Sequence, residues 1–213
     1  MEKEAPMRKI VSLGVLFVLS VVLPVFGQSA LEELAKQQIA QKTGLDPNLL
    51  ATLFVTDGEN QFILAFVYIT EQTMQSQLKA DLKQAIAPYV NKRALLTLLA
   101  PAKTSFFDPL RINFEQGLAR FLLSEQSIVK VTPDFGVGRF ESGTVSAGIL
   151  LLNDGLDLSK PFRIYYGAQS TVFSLTGETL PAQPNPLAQL LLFLQFLFLN
   201  ILLLFLIPFL LGL

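Results

Sequence analysis

The sequence predicts an α+β extracytoplasmic domain, a small α-β-β-α-β unit followed by a small antiparallel β-sandwich, attached to one C-terminal transmembrane helix. Three features carry this expectation. The last 27 residues, Leu187 to Leu213, form an apolar run without a single charge. Between residues 28 and 104 the apolar positions recur at helical, then strand, then helical, then strand spacing. Between residues 105 and 177 short apolar runs alternate with Gly, Pro, Asn and Asp turn signals, as in small all-β units.

The first element is "MRKIVSLGVLFVLSVVLPVFGQ", which begins at Met7. Arg8 and Lys9 precede an apolar run from Ile10 to Phe26, and Val25 and Gly27 stand at −3 and −1 of a cut before Gln28. That is the three-part form of a secretory signal peptide, assigned to residues 1–27. Glu2 and Glu4 are atypical of such a leader, so Met7 is a second candidate start. The alternative keeps Ile10 to Phe26 as an uncleaved anchor, which gives a two-span protein. Its length is at the short limit for a hydrocarbon layer of about 30 Å.

Residues 28–104 follow as the α+β unit. Ser29 and Glu32 form an S-x-x-E capping box, Leu31, Leu34, Ala35, Gln38 and Ile39 set a mostly apolar stripe, and Gly44 is a suitable stop. "LLATLFV" and "QFILAFVYIT" then flank "TDGEN", a hairpin signal whose loop reads as longer than two residues. Both faces of the second run are apolar, which places it inside a sheet. From Thr70 to Arg93 the period is helical, with Met74, Leu78, Leu82, Ala85, Ile86 and Tyr89 on one face and Pro88 ending it. "ALLTLLAP" is a short buried strand.

Residues 105–177 form the β-sandwich-like unit. Its strands are read in "LRINFEQGLARFLL", "SIVKVT", "VSAGILLL", "FRIYY" and "TVFSL", divided by Gln116-Gly117, Pro133-Asp134, Ser142-Gly143, Asn153-Asp154-Gly155 and Gly167. Residues 178–186 are a Pro-rich extended spacer. Leu187 to Ile207 then spans about 31 Å as a helix, one bilayer core. Gln195 and Asn200 oppose insertion, but the leucines outweigh two amides. With the signal peptide exporting the middle, the domain is expected outside the cytoplasm. A glycolipid-anchor signal, with Thr176-Gly177 ahead of the tail, is the competing outline.

Composition excludes several chemistries. The chain has no Cys and no His, so thiolate catalysis, disulfides, Cys-ligated metals and any Ser-His-Asp arrangement are absent. An exported domain without disulfides is more natural in a prokaryotic cell envelope than on a eukaryotic surface. The 16 Lys/Arg nearly balance the 17 Asp/Glu, with no basic block, which argues against nucleic acid as a partner.

No cofactor and no metal site is expected, and no catalytic residue is assigned. "NDGLD", Asn153 to Asp157, holds three oxygen-bearing side chains but lacks the spacing of a calcium loop, so a type I′ turn is favoured. "DFGVGRF" holds a G-x-G with no strand-to-helix context, and reads as a strand edge. Glu115, Glu125, Asp134 and Glu141 are the acids available to a membrane-tethered hydrolase, the alternative function. Arg163, Tyr165 and Tyr166 are the candidate protein-contact residues, alternation placing one Tyr inside and one outside. Asn200 and Gln189 lie eleven residues apart on one face of the expected membrane helix, as candidates for self-association or docking on a membrane subunit. The expected role is a non-enzymatic binding, adaptor or structural component of the envelope, with the lipid bilayer and an envelope protein as partners.

Overall fold

A computed structural model describes residues 28–176. The expected signal segment, spacer and membrane helix, with Gln189 and Asn200, lie outside the described residues. The described chain is mixed α+β with antiparallel sheets, and most of its elements are strands. Among the described residues no helix is long and apolar enough to cross a membrane.

Helix α1 (Gln28–Thr43) ends where Gly44 turns into the left-handed region at φ +67° and its N–H donates to Ala40 O at 2.8 Å. Strands β1 (Leu50–Asp57) and β2 (Asn60–Tyr68) pair with Asp57 opposite Asn60. The turn is therefore only Gly58-Glu59, with Gly58 at φ +58°, and not the longer loop that the sequence suggests. Polar residues continue the ladder past the apolar runs, because backbone pairing does not need apolar side chains.

The segment from Thr70 to Arg93 is not one helix. It divides into α2 (Glu71–Gln75), α3 (Ala80–Ile86) and a 3-10 turn at Ala87–Tyr89. Thr70 and Thr73 cap α2 reciprocally. The break follows from a tertiary bond: Gln77 N–H donates to Thr43 O at 2.6 Å, which docks the chain on the end of α1.

Strand β3 (Ala94–Pro101) is followed by β4 (Ser105–Phe107), β5 (Ile112–Gln116), β6 (Ala119–Leu122), β7 (Ile128–Lys130), β8 (Gly138–Phe140), β9 (Ser146–Leu151), β10 (Phe162–Tyr166) and β11 (Gln169–Phe173). They make a five-stranded sheet, β1-β2-β3-β9-β7, a four-stranded sheet, β11-β10-β5-β6, and a two-stranded ribbon, β4-β8. The expected boundary at residue 104 is crossed by this pairing, since Ala94 to Leu99 of β3 lie against Ser146 to Leu151 of β9.

The five-stranded sheet is buried on both faces. One face, with Leu53, Leu64, Phe66, Leu99 and Leu150, shares a core with Phe114, Phe162, Ile164 and Phe173 of the four-stranded sheet. The other, with Val67, Leu96 and Ile149, meets Ile39, Met74, Leu78, Leu82 and Ile86 of the helical segments. Three layers result, and each fully buried Leu or Phe contributes about 1.5–3 kcal/mol. On one side the two sheets close: β11 runs beside β1, and Gln169 Nε2 donates to Thr56 O at 2.7 Å. Glu32 covers more of that edge, its carboxylate accepting the Phe54 N–H at 3.4 Å. On the other side β6 and β7 end their sheets.

Candidate functional site

The inner face of the four-stranded sheet is core, so period-two alternation sends the remaining side chains to its outer face. Register sets them in two rows. The first is Val172, Arg163, Glu115 and Arg120, and the second is Ser170, Tyr165, Asn113 and Leu122. The first row alternates in sign across β10, β5 and β6. The rows are cross-linked: Arg120 Nε donates to Asn113 Oδ1 at 2.9 Å, and Tyr165 Oη donates to Glu115 Oε1 at 3.4 Å. Partial burial, with Glu115 beside it, raises the Tyr165 phenol above its ordinary pKa. Those links hold Arg120 and Tyr165 in place at the surface.

Of the residues singled out from the sequence, Arg163 and Tyr165 are half-buried on this outer face. Tyr166 is fully buried, so it is a core residue and not a contact residue. Its ring stacks on Phe107 and meets Phe62 edge-on, its oxygen accepts the Asp108 N–H at 3.1 Å, and Arg111 lies over it at 4.8 Å. Burial pushes the Tyr166 phenol up. Arg111 also pairs with Asp57 at 3.0 Å, and that bond raises the guanidinium further.

Sequence reasoning missed Arg120 and Leu122. The signal was the two-residue turn Gly117-Leu118, with Gly117 at φ +61°, which fixes Gln116 opposite Ala119 and hence Glu115 opposite Arg120. Around this turn lie two exposed leucines, Leu118 at 106% and Leu122 at 72% of full exposure. Beside β6, in the open seam between the sheets, is a pocket of about 190 Å³. Phe114, Phe121 and Leu152 line it together with Ser124, Gln126 and Asn153.

The "NDGLD" segment is not a type I′ turn. Gly155 N–H donates to Asn153 Oδ1 at 2.8 Å in an Asx turn, and a ten-residue connection leads from β9 to β10. Arg93 supplies its cation: Nη2 donates to Asn153 O at 2.7 Å and to Leu156 O, and Nε faces Asp154 Oδ1 at 3.5 Å. Gln116 holds the other end, donating to Asp157 O at 2.7 Å and accepting the Asp157 N–H at 2.8 Å. Asp157 itself bonds Ser159 and Lys160, which lowers its carboxyl to about 2.

Within "DFGVGRF", Gly138 to Phe140 form β8, the partner of β4. The acids of the hydrolase alternative fall on separate elements: Glu115 on β5, Glu125 in a 3-10 turn, Asp134 in the loop before β8 and Glu141 just after it. Among the described residues no group of three or more acidic side chains is placed to hold a metal. The chain matches no family model, no curated protein and no solved structure.

Proposed function

We propose that the chain is a non-enzymatic, membrane-anchored binding or adaptor component of the cell envelope, with its domain outside the cytoplasm. In this proposal the contact surface is the outer face of β10-β5-β6. The observation that supports it is the β5–β6 hairpin, where Leu118 and Leu122 stand exposed beside the ordered Arg120 and Tyr165. Apolar side chains beside fixed polar groups suit a protein partner. The apolar ends of the sequence support the location, as signal peptide and single-pass anchor. Asn200 and Gln189 would add contacts within the bilayer, by self-association or with a membrane subunit.

The location is tested by determining the mature N-terminus and the protease accessibility of the full chain in intact cells or spheroplasts. A start at Gln28 with the middle digested from outside is expected. Retention of residues 1–27 with outside digestion means two spans, and a protected middle overturns the extracytoplasmic assignment. The membrane contact is tested by Asn200→Leu in a membrane oligomerisation assay, where an unchanged association state removes Asn200 from the proposal.

A further inference from the structure

We infer that β6 is the acceptor for an added antiparallel strand from another protein, and that this strand reads apolar, large, acidic along its length. The inference deepens the binding proposal and rests on it for the domain's meeting a partner at all. It starts from the backbone. In a two-residue hairpin the closing pair, Gln116 and Ala119, exchange both hydrogen bonds, and so do Phe114 and Phe121 two residues on. The N–H and C=O of Arg120 and Leu122 therefore point away from β5, at the edge of the sheet. Among the described residues none of these four groups has a hydrogen-bond partner. The other edges are occupied or short: β1 and β11 cover each other, and β7 has three residues.

The side chains of the rows then specify the guest. Arg163, Glu115 and Arg120 alternate in sign, and directly opposed opposite charges stabilise a sheet while like charges destabilise it. The position opposite Arg120 is thus for Asp or Glu. The next position lies opposite Phe121 and points to the inner face, where the seam pocket of about 190 Å³ opens between Phe114, Phe121 and Leu152 on one hand and the polar Ser124, Gln126 and Asn153 on the other. A cavity of roughly 150 Å³ holds benzene, so this one has room for a single large side chain. It is small for a free ligand, whose pockets run to roughly 300–1,000 Å³. The third position faces the exposed Leu122 and takes an apolar residue.

Main-chain bonds thus provide attachment, and the acid, the pocket and Leu122 provide selection, the division found in strand addition generally. A second copy of β6 does not fit this pattern. Antiparallel self-pairing about Phe121 would set Arg120 against Leu122, leaving the guanidinium without the acid that its row calls for.

The test uses the full chain in detergent and two synthetic peptides, fluorescein-Thr-Val-Phe-Glu-Val-Thr-amide and the same peptide with Lys for Glu. Binding is followed by fluorescence anisotropy and by hydrogen exchange at Arg120 and Leu122. The Glu peptide is expected to bind about 3- to 10-fold more tightly than the Lys peptide and to protect both amides. Arg120→Glu should invert that preference. Leu122→Pro, which removes an N–H that β5 does not use, should abolish binding of both. If the proline variant fails to fold, the charge inversion at Arg120 decides alone. Binding without charge preference, protection elsewhere on the chain, or dimerisation through β6 overturns the inference. Absence of binding by both peptides also overturns it, while outside digestion in intact cells would still stand for the broader proposal.

Discussion

Gly148 lies directly beneath the ring of Phe135: a Cβ built at position 148 would fall 2.2 Å from two ring carbons. Phe135 is fully buried and touches Phe107, which links β4 to the aromatic group around Tyr166. The glycine is here for space, not for backbone freedom. Gly148→Ala is expected to lower stability by about 1–3 kcal/mol or more, as overpacking does. Chemical denaturation measures the loss, and Phe135→Leu in the same chain should recover part of it. Additive losses in the double variant would show that the two residues do not share this contact.

Thr97 stands opposite Gly148 in register, and among the described residues its buried hydroxyl has no hydrogen-bond partner. An unmet buried hydroxyl costs about 1–3 kcal/mol. Thr97→Val keeps the shape and removes the polar atom, so it should raise the unfolding midpoint. A lower midpoint would mean that the hydroxyl is satisfied in solution.

Arg93 fills the carbonyl cradle of Asn153 and Leu156 with its own positive charge. Millimolar calcium is therefore expected to leave the resonances of residues 153–157 unmoved. Arg93→Met should speed amide exchange at Leu156, whose N–H bonds Asn153 O at 3.1 Å, and make the connection between β9 and β10 more protease-sensitive. A calcium-dependent rise in melting temperature of the unaltered chain would contradict this assignment.

The Asp157 carboxyl is held at about 2, below its ordinary 3.8, chiefly by the Ser159 hydroxyl and then by Lys160. Because the folded value is depressed, its contribution to folding is complete above the unfolded value and is lost as pH falls through about 2. Carboxyl-carbon NMR should place its midpoint near 2, and Ser159→Ala should move it up toward 3.8. A midpoint that Ser159→Ala leaves in place would assign the shift to another group.

Much of the local structure was legible because it is written in short periods. Alternation in "FRIYY" places Phe162, Ile164 and Tyr166 inside and Arg163 and Tyr165 outside, and β2, apolar on both faces, lies between β1 and β3. Gly44 stops α1 as its position suggests. What was not legible depends on distant partners. The helical period from Thr70 to Arg93 says nothing of Thr43, whose carbonyl takes the Gln77 N–H and interrupts the helix. Composition shifts near residue 104, but strand pairing does not follow composition, and β9 goes to β3. The outer face of the four-stranded sheet was half legible: Arg163 and Tyr165 share a strand, whereas Glu115 and Arg120 join them only through hairpin register.

The meeting of β1 with β11, the first and last strands of the described residues, has a consequence for the order of events during synthesis. Chain emerging N-terminus first can form α1 and the β1–β2 hairpin early, since those contacts are local. The central sheet then waits for Ser146 to Leu151, and the closure over β1 waits for Gln169. Pairing between such distant segments is slow because loop closure precedes its reward. A nascent chain cut short before β9 would therefore hold the apolar flank of β3 without a neighbour, the condition in which holding chaperones engage and aggregation begins.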